Sequence, residues 1–130
     1  MNFVAAFCTF ALGCLVFGLG FWVSLMRKSA RIAHGATADP GDFLYRLIRA
    51  HGNTTEYAPF LALLILYLGA HHPANWAIGT MIVSVLCRYI LVVGFLMYPT
   101  LAKPNGLRFL GAAGTYVTGF MLCLAMVLPT

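Results

Sequence analysis

The chain has 130 residues, 62% of them hydrophobic and only 8% charged, where a soluble domain carries about a quarter charged residues. That apolar excess is too large for one soluble core, so lipid must be the solvent for much of the surface. The formal charge of +5 does not point to nucleic acid, because the basic residues are few and sit where membrane-flanking anchors sit.

The first apolar run, 3–26, contains no charge and predicts a helix over 3–27. It lacks a basic segment before it, and Arg27, Lys28 and Arg31 follow it instead. That order fits a retained anchor with its N-terminus outside rather than a signal peptide. The second run, about 50–70, predicts a helix over 43–70. The third, 76–98, is interrupted by Arg88 and predicts a helix over 75–98; the fourth predicts one over 107–128. Each run approaches the ~20 residues that cross a ~30 Å hydrocarbon layer as a helix. Turn residues mark the breaks: 34–41 with Asp39-Pro40-Gly41, then His71-His72-Pro73, then Lys103-Pro104-Asn105-Gly106. The reading is a single domain over 1–130, an all-α integral membrane protein built as a four-transmembrane-helix bundle.

Charge bias gives an orientation. The connection between helices 1 and 2 holds Arg27, Lys28 and Arg31, with Arg46 and Arg49 at its far end. The connection between helices 3 and 4 holds Lys103, and Arg108 follows it. The remaining connection and both ends carry no Lys or Arg. By the positive-inside rule the first and third connections face the cytoplasm and both termini face outward. The four cysteines, Cys8, Cys14, Cys87 and Cys123, lie in apolar runs without metal spacing. They read as small core hydrophobes, and no metal is implied.

Helix 2 carries the anomaly. Its purely apolar part, 57–70, would rise only ~21 Å, too short to span, so Asn53 and Glu56 are drawn into the membrane or to its edge. Arg46, Arg49, Asn53 and Glu56 follow i, i+3, i+7, i+10 and fall within roughly 80° of a helical wheel, which Tyr57 extends to about 100°. A solvated helix end explains Arg46 and Arg49 as anchors. It explains Glu56 poorly, because a carboxylate in an apolar run is costly unless paired or facing water. Helix 3 supplies one counter-charge inside a membrane run, Arg88, and a Glu56–Arg88 pair is the economical expectation, within one subunit or across two. A tether between helices with no ligand is the plainer alternative. With Arg46, Arg49 and Arg108 at the cytoplasmic mouth, the set suits a small hydrophilic anion that also carries an amino group, with lipid supplying an apolar co-substrate.

The segment Arg49-Ala50-His51-Gly52-Asn53-Thr54-Thr55-Glu56-Tyr57-Ala58-Pro59-Phe60 resembles the signature of the MAPEG family, membrane-associated proteins in eicosanoid and glutathione metabolism. The pattern is Arg-Ala-x-x-Asn-x-x-Glu followed by Pro and an apolar residue. The resemblance extends over the whole chain through its length, its four helices, Arg88 and Arg108. It implies a left-handed four-helix bundle assembled as a homotrimer, with glutathione as co-substrate bound between subunits on the cytoplasmic side. It implies glutathione-binding roles for Arg49, Asn53, Glu56, Tyr57 and Arg88, and a position for His51 that can reach a neighbouring subunit's ligand. Arg108 matches the arginine that holds the thiol as thiolate, and Lys28 or Arg31 matches a residue that holds a ligand carboxylate. The partners implied are a second and third copy of the chain, glutathione, lipophilic small molecules and the bilayer.

Two positions depart from the pattern. Some members place His or Tyr one and two turns after the helix 3 arginine, where this chain has Leu91 and Phe95. Arg108 favours a membrane-bound glutathione transferase, also able to act as a glutathione-dependent peroxidase, on lipophilic electrophiles; Leu91 and Phe95 favour the second reading that follows. A non-catalytic lipid- or glutathione-binding scaffold is the second reading, and a small proton or solute carrier using Glu56 and Arg88 the third.

Overall fold

The computed structural model describes residues 1–128, so the last two positions of the expected 1–130 domain lie outside the described residues. Four helices follow in order: α1 (Phe3–Ala30), α2 (Phe43–Ala70), α3 (Asn75–Leu96) and α4 (Gly106–Ala125). Three begin on a residue whose side chain caps free amides. Asn2 accepts from the amides of Val4 and Ala5, Asp42 from Tyr45, and Asn105 from Leu107 and Arg108.

α4 begins one residue earlier than expected, at Gly106, and the C-terminal ends of three helices depart from the expected bounds. α1 runs on to Ala30, because Arg27 and Lys28 are good helix formers near the negative end of the dipole. It stops at Arg31, which adopts a left-handed conformation (φ 55°) and returns its N–H to Arg27 and Lys28. α3 stops at Leu96, three residues before Pro99, which disfavours helix in the residue ahead of it. α4 stops at Ala125, where the last amides tighten to i−3 acceptors: Met126 N–H donates to Cys123 O and Val127 N–H to Leu124 O.

By length and composition α1, α3 and α4 are each apolar enough to cross a membrane. α2 is as long as α1 but too polar to qualify on composition. It nonetheless runs antiparallel beside α1 for its whole length. Asn2 N–H donates to Gly69 O at one end (2.8 Å), His51 packs over Gly20 further along, and the Trp22 and Phe43 rings meet at 5.6 Å near the other end. The outer surface is that of a lipid-solvated bundle: Phe3, Phe17, Phe109 and Phe120 are each more than three-quarters exposed.

Two close helix pairs make up the chain, α1 with α2 and α3 with α4, joined by a looser α2–α3 seam. The α3–α4 pair approaches so closely because glycines line it. A Cβ at Gly111 would meet the backbone of Leu91, one at Gly94 the backbone of Arg108, and one at Gly114 the Cys87 sulfur. Small residues that let backbones touch are the usual means of helix association in lipid. Asn105 adds a clasp, donating through Nδ2 to Gly94 O (2.9 Å) while its Oδ1 caps α4. α2 and α4 touch only sparsely and leave a groove between them.

The cysteines divide. Cys8 and Cys87 are buried, but Cys14 and Cys123 are exposed, which corrects the expectation of four core residues. An apolar run in lipid is hydrophobic on every side, so composition does not say which face is packed.

Candidate functional site

Arg88 is the largest fully buried side chain, 1% exposed. It projects from the middle of α3 into the α2–α3 seam. Nη2 donates to Asn53 Oδ1 at 2.9 Å and to Thr54 Oγ1 at 3.3 Å. Thr54 passes its own proton to Ala50 O (2.8 Å), which leaves its lone pairs for the arginine. The guanidinium lies over the Tyr57 ring, 5.4 Å from its centroid, a favourable place for a cation. Nε has no hydrogen-bond partner among the described residues. The cation is thus held by an amide, a hydroxyl and a ring, with donors to spare and no carboxylate in hand.

Glu56 was the expected counter-charge, and the structure does not form that pair within the chain. Asn53 and Thr54 occupy the α2 face turned to α3. Glu56 lies about 60° further round the helix from Asn53, on an exposed face. Asn53, not Glu56, therefore answers Arg88, while the carboxylate stands close by on the open side of the seam.

Tyr57 reaches across to α4. Its hydroxyl is 3.3 Å from that of Tyr116, and the two rings are tilted at 59° with centroids 5.6 Å apart. These two tyrosines and Glu56 form the polar head of the α2–α4 groove. The groove continues along Phe60, Leu61, Leu64 and Phe120 to Cys123 and is an open cleft of about 310 Å³. Sequence reasoning missed Thr54 and Tyr116. Thr54 carried no signal, since a threonine beside Asn53 is ordinary in a helix. Tyr116 carried a faint one, as a phenol two turns along α4 from Arg108 inside an apolar run.

The other expected site residues are spread more widely. Arg46 donates through Nη1 to Leu96 O (2.7 Å) and to Tyr98 O, and lies over the Phe43 ring. It closes the end of α3, where free carbonyls and the dipole favour a cation. Arg49 is exposed, one turn further along α2 toward Asn53. His51 is half-buried against Gly20, on the α2 face turned to α1. Lys28 and Arg31 are exposed at the end of α1. Arg108 is half-buried. It donates through Nη1 to Leu101 O (3.2 Å) and Lys103 O (3.4 Å), and its guanidinium sits 5.3 Å from the Phe95 ring centroid. It clamps the α3–α4 connection about two turns along α4 from the level of Arg88. Leu91 and Phe95 are buried: Leu91 fills the place against Gly111, and Phe95 carries Arg108.

Within one chain, then, Asn53, Thr54, Tyr57, Arg88 and Tyr116 come together with Glu56 beside them. Arg49 and Arg108 flank this centre, and His51, Lys28 and Arg31 do not join it. A buried cation with spare donors next to an unshared carboxylate can hold a zwitterion, each end by opposite charge. Among the described residues no three His, Cys, Asp or Glu side chains gather as metal ligands.

The family model that matches the chain is that of the MAPEG family, over residues 5–128. No curated protein and no solved structure matches it.

Proposed function

The chain belongs to the MAPEG family, and on that premise we propose that it is a membrane-bound glutathione transferase. It conjugates the glutathione thiolate to lipophilic electrophiles and, with a hydroperoxide as acceptor, acts as a glutathione-dependent peroxidase. The observation that carries this reading is the juxtaposition of buried Arg88, with unused donors, and exposed Glu56 at the head of an apolar groove. Glutathione is a tripeptide with two carboxylates and one ammonium. Arg88 and Arg49 take carboxylate oxygens, Asn53 and Tyr57 supply polar contacts, and Glu56 accepts from the ammonium. A neighbouring copy in a homotrimer brings His51 and Lys28 or Arg31 to the same ligand. The site opens to the cytoplasmic side, where the basic residues of the first and third connections lie, and both termini face outward.

Arg108 supplies the chemistry. A free thiol ionises near pH ~8.5 and is mostly protonated at neutral pH, and an adjacent cation lowers that value. The thiolate then attacks the electrophilic carbon, and the displaced group leaves with the electron pair. Purified protein titrated with glutathione gains thiolate absorbance and then turns over an activated aryl halide. Absence of both would overturn the transferase reading.

One observation favours a second reading, a non-catalytic glutathione- or lipid-binding scaffold. Arg108 already spends Nη1 on two carbonyls of its own loop and lies on Phe95. If that clamp persists with ligand bound, glutathione binds without a thiolate signal.

A further inference from the structure

Both hydrogen bonds of Arg88 leave from a single nitrogen. Nη2 donates to Asn53 Oδ1 (2.9 Å) and to Thr54 Oγ1 (3.3 Å), which spends its two protons. Nε and Nη1 keep the other three N–H groups of the guanidinium. Nε, though buried, meets no acceptor among the described residues. A planar cation held at one corner by two acceptors, with a ring against it, has little freedom to turn. The directions of its free donors are therefore fixed before any ligand arrives. Both acceptors are neutral, so they hold the cation without cancelling the charge that a carboxylate ligand would meet.

Thr54 decides how firm that hold is. It has no exposed surface, and its hydroxyl proton is committed to Ala50 O on the preceding turn (2.8 Å). Only lone pairs are left to face α3, so the hydroxyl can accept from Arg88 and cannot compete with it as a donor. Take the hydroxyl away, and Nη2 hangs from Asn53 Oδ1 alone and swings about that one bond. A fully buried position admits no water to replace the lost acceptor. Asn53 is half-exposed and serves the ligand as well as Arg88; Thr54 serves Arg88 alone.

We propose that Thr54 is a positioning residue for ligand binding: it sets the Arg88 guanidinium so that the free donors meet one carboxylate of the bound tripeptide. Thr54 touches no ligand and acts only through Arg88. The inference rests on the glutathione reading for the identity of the ligand, but not on catalysis.

The test varies the ligand together with the residue. Affinities are measured by calorimetry in detergent, without electrophile, for glutathione and two analogues. The glycyl ethyl ester lacks one carboxylate charge, and γ-aminobutyryl-cysteinyl-glycine lacks the other carboxylate while keeping the ammonium. Thr54→Val, equal in shape but without the hydroxyl, binds glutathione about three- to tenfold more weakly, the scale of one hydrogen bond. Thr54→Ser keeps the hydroxyl and binds as the parent does. The loss in Thr54→Val persists for one analogue and vanishes for the other, whose missing carboxylate is the one that Arg88 holds. Thermal melts confirm that each variant is folded; Thr54→Cys, with a weak acceptor in nearly the same space, replaces Thr54→Val if that protein does not fold. A loss of equal size for all three ligands means that Thr54 only packs helix on helix, and overturns the proposal. So does a Thr54→Val protein with the parent's affinity, or a Thr54→Ser protein as weak as Thr54→Val. Binding with this pattern but no thiolate signal and no turnover sinks the transferase reading alone. Turnover with three equal losses sinks only the role of Thr54.

Discussion

Arg88 and Asn53 meet across 2.9 Å between α3 and α2, a cation donating to a neutral amide where both helices are otherwise packed on apolar neighbours. The contact joins the two helix pairs of the chain. It also leaves Arg88 without a carboxylate partner among the described residues, which is the condition for gripping one from outside.

Removing the amide tests its structural share. Asn53→Leu leaves the guanidinium with the Thr54 hydroxyl as its one side-chain hydrogen bond, over the Tyr57 ring, and is expected to destabilise the protein by about 1–3 kcal/mol. Arg88→Leu in the same chain removes the stranded charge, and the double variant recovers to within about 1 kcal/mol of the parent. Unfolding in detergent followed by circular dichroism measures both. Additive losses would show that the two residues act independently.

Arg46 is expected to behave as a helix cap and not as a ligand contact. Arg46→Met frees the carbonyls of Leu96 and Tyr98 and should cost about 1 kcal/mol of stability. The glutathione affinity of the folded protein should stay unchanged. A binding loss with stability intact would return Arg46 to the site.

The α3–α4 contact predicts a clash with a specific remedy. Gly114→Ala presses a methyl against the Cys87 sulfur and should destabilise by about 1–3 kcal/mol. Cys87→Ala makes room, so the double variant should regain most of that loss. Gly111→Ala meets backbone at Leu91, where no side-chain change helps, and should fold poorly in either background. Thermal melts of the four proteins separate the cases.

For catalysis, Arg108→Ala should lower turnover by about 10²-fold or more, the scale seen when one charge-stabilising donor is lost, with little change in glutathione affinity. The sign of the pH effect follows. On the transferase reading proposed above, Arg108 holds the thiol's ionisation below its usual value, and the parent's rate should already be high at neutral pH. In the variant the rate should keep climbing as pH rises toward ~8.5. A pH profile of turnover from 6 to 9 compares the two.

The helices were legible because lipid makes them so: long apolar runs broken by Pro, Gly and Asn have few other outcomes. The polar stripe on α2 was legible because charge in such a run has a cost that must be met. The identity of its partner was not. Glu56 and Asn53 stand 60° apart on a wheel, and only the rotation of α2 against α3 decides which of them meets Arg88. Charge matching favoured Glu56, and packing chose Asn53. Tyr116 was hidden for a related reason. In a lipid-solvated helix the packed and exposed faces are equally apolar, so the pattern along α4 did not reveal that one phenol faces α2. The resemblance carried by residues 49–60 supplied family membership, which the match over residues 5–128 bears out. It could not supply the loop contacts of Arg108, which depend on how a proline-bearing connection folds.

Asn105 ties the start of α4 to the end of α3, and Asn2 ties the start of α1 to the end of α2 through its backbone amide. Each hairpin therefore carries its own latch and can close as soon as it has entered the bilayer. The buried polar groups assemble only in the later step, when hairpin docks on hairpin. A small molecule that grips Glu56 on one hairpin and Arg88 on the other would act on that step alone, as a staple across the junction, leaving each latch as it was.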